Sequence, residues 1–507
     1  MVDTVIIGGA PLGRQQLAAV AAGARLELNA AAWSRIDNAR AIVERIVANG
    51  ERAYGITTGL GALCNVVLSP DQLARLSSNT LQSHACGVGE PLSIPLARAL
   101  LTAQLQNYAH GHSGISPAVV QRLVDFLNLG ITPVVPAGGS VGYLTHMAHA
   151  ALPLIGLGEA WVEGERVPGG VALSRRGLEP LVLGAKDGLS LVNGTPCMTA
   201  FLAMALARAE HLAKWADVIS AMSFEALKGQ LAAFDAEALA VKPHPGALQV
   251  GANLRRLLAD SANLSRHQGI RTQDALSIRS IPQIHGASRD QFTHIGRQVD
   301  IELASATDNP QVFGTPDDYR VVSQANPHGQ SLGMAGDLLA IASAELAGVA
   351  ERRIDRLVNP LVSGLPPFLL EDSGVNSGLM IVQYVAAALV AENKVLAHPM
   401  VVDNFVTSAL QEDHLSLATP AVLKAHKVLD NVETVLAIEY LVAAQALHFF
   451  DAAALGQGSR AALAVIREHI PPYSEDRVVA PDITRTLGLL RDPLLLQRIE
   501  TELGTSL

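Results

Sequence analysis

A single phenol stands at the head of a glycine-rich run, Tyr54-Gly55-Ile56-Thr57-Thr58-Gly59-Leu60-Gly61. Such a backbone can carry a phenol over a substrate and shut out water, as a catalytic loop does, and it serves a structural turn equally well. Ser83-His84-Ala85-Cys86-Gly87 sets an imidazole ahead of a predicted helix break, and Leu191-Val192-Asn193-Gly194-Thr195 sets an amide in a turn. In Gln273-Asp274-Ala275-Leu276-Ser277-Ile278-Arg279 the guanidinium has the planar fork that grips a carboxylate through two parallel N–H bonds. Thr307-Asp308-Asn309-Pro310, Asn376-Ser377-Gly378-Leu379-Met380 and Gln411-Glu412-Asp413-His414 are further polar clusters in breaks between apolar runs. Taken singly, each has an ordinary structural use as a turn former, an ion pair or a packing group.

Two other motifs point elsewhere and lack their context. Gly138-Gly139-Ser140-Val141-Gly142 fits the G-x-S-x-G of a nucleophilic serine, but Pro133 and Pro136 crowd the stretch where a strand should precede it, and no alternating strand–helix pattern surrounds it. His110, His112, His146 and His149 come in pairs without a clear third ligand, so no metal is expected.

The elements that must position these groups read as helices. Aromatic residues make up only 4% of the 507-residue chain while Ala, Leu and Val abound, which suits helix-on-helix packing better than sheets. Apolar residues recur at three- and four-residue intervals from Pro420 to Phe450, roughly 45 Å of helix, with Thr419-Pro420 as N-cap and first-turn proline. Two more long helices are predicted at Ala335 to Leu357 and Leu379 to Leu396. Helices this apolar need partners on several faces, which predicts a central bundle buried further by oligomerisation. Trp161 to Val171 reads as a small outer hairpin. A net charge of −10 without a basic run disfavours nucleic acid. Three widely spaced cysteines, Cys64, Cys86 and Cys197, suggest neither a disulfide framework nor a thiolate metal site. With no signal-peptide pattern, and with Leu379 to Val390 too short to span a bilayer, a soluble cytoplasmic protein without membrane contact is expected.

Together and in order, these blocks resemble the histidine ammonia-lyases of the histidine/aromatic ammonia-lyase superfamily, from about Arg25 to Asp482. YGITTGLG, SHACGVG, AKDGLSLVNGT, ATDNP, GLPPFLLEDSGVNSGLM, AENKVLAHP and TSALQEDH carry the likeness. The resemblance implies a mainly α fold, a long central helical bundle with an N-terminal loop-rich catalytic region. Residues 1–200 would hold the tyrosine loop, and 201–507 the long-helix bundle and C-terminal helices. It implies Tyr54 as catalytic base, with His84 and Glu412 also in the catalytic set. Asn193, Arg279, Met380, Gln273 and Asn326 would bind substrate, Arg279 holding its carboxylate and Met380 with Glu412 contacting an imidazole-like ring. A small-molecule substrate and a homotetramer follow from the same resemblance.

The departures matter most. Members of that family cyclise an Ala-Ser-Gly, within a segment like GSVGASGDLAPLAHM, into an electrophilic methylideneimidazolone. Here the segment reads Gly139-Ser140-Val141-Gly142-Tyr143-Leu144-Thr145-His146-Met147. The tripeptide and the D-L-x-P after it are gone, roughly half a dozen residues, so no such group and no cofactor are expected. The family's tyrosine beside the electrophile is Leu276 here, and an aromatic of its GNFH block is Pro327. A quaternary trimethylammonium departs as a neutral amine without electrophilic help, so the electrophile-less branch resembling ergothionase, which releases trimethylamine from ergothioneine, is the expected activity. A histidine ammonia-lyase-like enzyme on another amino acid and an inactive homologue are the alternatives. Tyr143 then either offers its ring face to the cation or simply fills the deletion. The intact mass should equal that of the translated chain; a mass short by two waters would restore the electrophile and overturn this reading.

Overall fold

The computed structural model describes residues 4–63 and 65–507, so Cys64 lies outside the described residues. The protein is mainly helical, 61% helix against 8% strand. Contacts divide it into two compact units. The first is Met1–Ala205 with Gly296–Asp337 and Pro399–Leu423; the second is Leu206–Ile295 with Leu338–His398 and Lys424–Leu507.

The longest helices are Pro196–Ala226, Ile281–Leu303, Gln330–Val358 and Ala418–Leu447, with Met380–Leu396 shorter. Three of them fall where apolar spacing predicts. The first proves longest of all, yet it is apolar on every side and shows no stripe to betray it. The helix predicted from Pro420 begins instead at Ala418, which removes Thr419 from the N-cap; its hydroxyl donates to the Gly142 carbonyl. By length and apolar composition the stretches Asp187–Ala226 and Gln330–Val358 pass for membrane spans, but 94% and 67% of their most apolar windows are buried inside the protein. Trp161 lies in the predicted hairpin, Glu159–Val162 against Glu165–Pro168, extended by Thr132–Pro133 into a three-stranded sheet.

In the first unit, helix Ala30–Asn49 is closed at one end by Asn29, whose Oδ1 accepts from Ala32 N at 2.8 Å, and at the other by Gly50 at φ 66°. Its buried face, Ala39, Ile42, Val43 and Ile46, packs with Val312 and with Ile56 of the tyrosine loop. That apolar anchor fixes the base of the loop two residues beyond Tyr54. Gly55 adopts φ 64°, and a Cβ there would lie 2.3 Å from the Leu189 side chain, so glycine is needed twice over. The result is that the loop sits directly on helix Asp187–Val192, which leads into Asn193.

Helix Pro70–His84 packs on the same short helix and ends at His84. Gly188 permits the approach: a Cβ there would lie 2.4 Å from the Ser77 carbonyl oxygen and 2.5 Å from its Cα.

The second unit carries its buried charge in a paired network. Asp217 receives His285 Nδ1 at 2.9 Å, Arg289 Nη2 at 2.6 Å and Asn253 Nδ2 at 2.9 Å. Glu439 takes Arg353 bidentately at 2.6 and 2.9 Å, and Ser223 at 2.7 Å. Each charge is paired and hydrogen-bonded, the condition under which burial is tolerated.

Gly188→Ala should destabilise the protein by about 1–3 kcal/mol, the usual range for forced overpacking, because the obstacle is backbone. Activity should fall with it, since the strained contact joins the helices bearing His84 and Asn193. Thermal unfolding and turnover of the variant check this; an unshifted melting curve would mean that the helices part freely.

Candidate functional site

A buried ion pair organises the site. Lys186 and Asp308, with side chains 0% and 2% exposed, meet at 2.8 Å. The same Asp308 Oδ2 accepts from Ser113 Oγ at 2.5 Å and Ser190 Oγ at 2.9 Å. Oδ1 accepts from Asn193 Nδ2 at 3.0 Å and from the Asn309 N–H at 2.7 Å. Burial alone would raise the Asp308 carboxyl, but the Lys186 ammonium and these donors outweigh it and hold the group below its usual range. Asp308 is therefore a charged, fully solvated-by-protein anion. Asn193, 5% exposed, spends its second amide proton on the Asn309 carbonyl at 2.7 Å.

Five other predicted residues, Tyr54, His84, Tyr143, Asn326 and Glu412, join Asn193 in this first unit. Tyr54 is half-buried, and its hydroxyl accepts from Gly61 N at 3.4 Å across its own loop. The turn Gly61–Leu63 packs against Ser408–Leu410, which leads into Glu412. Glu412 is exposed and held by backbone bonds to Thr407, 2.8 Å from Thr407 N to its carbonyl and 3.3 Å in return. His84 is half-buried with Nδ1 3.0 Å from Ser83 Oγ; burial lowers its pKa while a Thr80 backbone contact and the Glu412 charge oppose the shift. Tyr143 stands just before helix Leu144–Ala151. Burial pushes its phenol well up, reinforced by Glu412, Tyr54, Asp308 and Cys197, so it is a neutral phenol within electrostatic reach of two site carboxylates and the loop tyrosine.

The segment before Tyr143 is pinned. Leu417 N donates to Val141 O at 3.0 Å, and Thr419 Oγ1 donates to Gly142 O. On its other flank Pro136–Gly138 pairs with Val88–Pro91, and Gly87 N donates to His149 Nε2 at 2.9 Å, tying down the stretch that follows His84. Asn326 is exposed; its N–H donates to the Gln324 side chain, which in turn donates to Asp308 O at 2.7 Å. His328 and His414 bring the Asn326 and Glu412 blocks together, Nε2 to Nδ1 3.4 Å apart with rings stacked. Among the described residues no three His, Cys, Asp or Glu side chains are grouped to hold a metal ion.

The remaining predicted residues lie in the second unit. Gln273 and Arg279 are a pair: with its oxygen turned toward the guanidinium, Gln273 accepts from Nη1 at 2.8 Å and Nη2 at 3.2 Å. Met380 opens helix Met380–Leu396, half-buried, behind a turn fastened by Asp476, which accepts from Ser377 N and Gly378 N, each at 2.8 Å. Of the described cysteines, Cys86 is exposed and Cys197 buried, and both are free.

Sequence reasoning quoted Asp308 only within its Thr307–Pro310 cluster, and gave no role to it or to Lys186, Ser113 and Ser190. The available signal was the ionisable Lys186 just ahead of the mostly apolar run Gly188–Val192, where a buried charge survives only if paired.

A mainly helical fold that gathers a loop phenol, an imidazole, an anchored amide and a carboxylate is that of a carbon–nitrogen lyase. Residues 12–468 match the family model described as aromatic amino acid lyase. The chain is 49% identical over 500 residues to a histidine ammonia-lyase of Symbiobacterium thermophilum, covering 98% of each. Tyrosine aminomutase from Streptomyces globisporus superposes with a TM-score of 0.94 at 34% identity, covering 100% of this chain and 99% of that one. Ergothionase of Treponema denticola does so with a TM-score of 0.91 at 29% identity, covering 97% and 100%. The chain belongs to the aromatic amino acid lyase family, within the histidine/aromatic ammonia-lyase superfamily.

The residues present do not fit the self-made electrophile expected from that resemblance. No Ala-Ser-Gly occurs anywhere in the sequence. Val141 and Gly142 have their carbonyls engaged by Leu417 and Thr419, and Gly142 runs straight into Tyr143.

Lys186→Met should cost about 3–5 kcal/mol, because Asp308 keeps its burial and loses its countercharge. The sign with pH follows. In the wild type the depressed Asp308 pKa contributes stability that is present above the unfolded value, near 4, and is lost as pH falls through the folded one. Without Lys186 the folded pKa rises above the unfolded value, so the variant's deficit should shrink on going from about pH 8 to pH 5. Urea unfolding across that range tests it; a pH-independent deficit would show that the pair is not the source.

Proposed function

We propose that this lyase eliminates trimethylamine from a histidine betaine, ergothioneine foremost, to give thiourocanate. The observation that carries the reading is the direct join of Gly142 to Tyr143, with no Ala-Ser-Gly in the chain. An α-ammonium leaves carbon poorly, whereas a trimethylammonium departs as a neutral amine without activation. Tyr54, as phenolate, takes the β-proton; the C–H electrons form the new C=C bond, and the C–N electrons leave on trimethylamine. Arg279, oriented by Gln273, binds the carboxylate, and Glu412 and Met380 contact the ring. His84, half-buried and coupled to the Glu412 charge, completes the catalytic set, with Asn326 on the substrate-binding side. Tyr143, kept neutral, offers its ring face to the methylated cation. The likeness to a protein described as an ergothioneine-degrading enzyme supports the choice of substrate. Residues from more than one subunit complete such a site, which makes a homotetramer the working assembly.

A second reading, ammonia elimination from histidine, is favoured by the 49% identity to a histidine ammonia-lyase. It requires the amine to leave without the electrophile, and a primary ammonium carries acidic N–H protons that a base takes before the β-proton, leaving a neutral amine that departs poorly, whereas a trimethylammonium has no such proton.

The test compares wild type and Tyr54→Phe on ergothioneine and on histidine at one pH, following the conjugated product by ultraviolet absorbance. Elimination from the betaine, little from histidine, and a loss of at least about a hundredfold in Tyr54→Phe are expected. Histidine turning over as fast as the betaine would establish the second reading, a fully active Phe variant would remove Tyr54 from the mechanism, and no turnover of either compound would leave an inactive homologue.

A further inference from the structure

Asn193 has two amide protons and one carbonyl oxygen, and the structure accounts for both protons. One goes to Asp308 Oδ1 at 3.0 Å and the other to the Asn309 carbonyl at 2.7 Å. The opposite orientation would set the Asn193 oxygen against a carboxylate and a carbonyl, two acceptors, so the amide cannot turn over. What forbids it is the charge on Asp308, and what keeps that charge is Lys186 with the Ser113 and Ser190 hydroxyls. Among the described residues the Asn193 oxygen accepts no hydrogen bond, and it is not one of their fully buried unsatisfied polar atoms, so part of its surface stays accessible although the residue is only 5% exposed.

We infer that Asn193 meets the substrate only as a hydrogen-bond acceptor, for a ring N–H, and that Asp308 and Lys186 are positioning residues that lock it in that role. The inference rests on the proposed betaine elimination. A carboxylate offers acceptors alone and cannot be the partner of a locked carbonyl. A trimethylammonium has no N–H. Within a histidine betaine the ring N–H groups are the donors left, and an acceptor held rigidly there fixes the ring while the β-carbon loses its proton. Tyr143, a neutral phenol in the same unit, offers its ring face to the cationic end.

The experiment measures dissociation constants by calorimetry, in a Tyr54→Phe background to prevent turnover. Ligands are ergothioneine, histidine, and the ring N-methylated counterpart of each, with and without Asn193→Leu, which keeps the volume and removes the acceptor. The parent compounds should outbind their N-methylated counterparts in the Asn193 protein by at least about fivefold, the scale of one hydrogen bond, and Asn193→Leu should abolish that preference. A preference unchanged by Asn193→Leu is steric and overturns the inference. So does tighter binding of the methylated forms by the Asn193 protein, or failure of all four compounds to bind.

Two further measurements isolate the lock from the ligand. Asn193→Asp puts a second carboxylate against Asp308 and should lower the melting temperature at pH 8 more than at pH 5. Adding Asp308→Asn to it restores one donor and one acceptor at that contact and should recover part of the loss. An Asn193→Asp protein as stable as wild type at both pH values would mean that the amide is not locked. Because these readings need neither turnover nor a particular leaving group, a failed betaine assay and a failed lock are told apart.

Discussion

The ion pair between Lys186 and Asp308 is the constraint on which the first unit depends. Two charges taken wholly out of water are unfavourable unless each finds a complete set of partners, and here the set comes from three separate stretches of chain: Ser113, Lys186 with Ser190 and Asn193, and Asp308 with its own Asn309 N–H. Meeting that requirement fixes the end of helix Asp187–Val192, and on that helix rest both the tyrosine loop, through Gly55, and helix Pro70–His84, through Gly188. The candidate site residues Tyr54 and His84 are thus ordered by a polar contact that neither of them makes, while Asn193 takes part in it directly.

The tyrosine loop shows how rigidity and reach are divided. Ile56 is sealed into the cluster of helix Ala30–Asn49, while Tyr54 itself stays half-buried, its hydroxyl accepting from Gly61 N of the turn that packs on Ser408–Leu410. A phenol so mounted has its anchor in the core and its hydroxyl outside it. Tyr143 is the reverse case, a phenol whose preceding backbone is bonded at Val141 and Gly142 and whose ionisation is suppressed by burial. The two tyrosines share a region and are physically unsuited to exchanging roles.

Much of this was legible in the sequence, in proportion to how local the cause was. Gln330–Val358, Met380–Leu396 and Ala418–Leu447 follow from apolar spacing, and the hairpin at Trp161 from its turn. Pro196–Ala226 escaped because a helix apolar all round has no period to read. Thr419 was misread as a cap because its real partner, Gly142, lies 277 residues away. The pairings of Gln273 with Arg279 and of the Asn326 and Glu412 blocks through His328 and His414 are within reach of block order, but only coordinates give their geometry. Lys186 and Asp308 are 122 residues apart, and nothing local in either says that it will meet the other.

That separation also sets the order in which the chain can become native during synthesis. Residues 1–205 leave the ribosome with Lys186 already in a stretch destined for full burial, yet its counterion follows 122 residues later, and the last segment of the same unit closes only at Leu423. At roughly 5–20 residues per second the nascent first unit waits several seconds or more for its partner, with an unpaired ammonium and uncovered helix faces. Closing so long a loop adds little entropy beyond a shorter one, but it delays the reward until Asp308 has been made. The site that the ion pair makes precise therefore cannot form when its own first stretch, residues 1–205, is made, and waits for the later segments of the same unit.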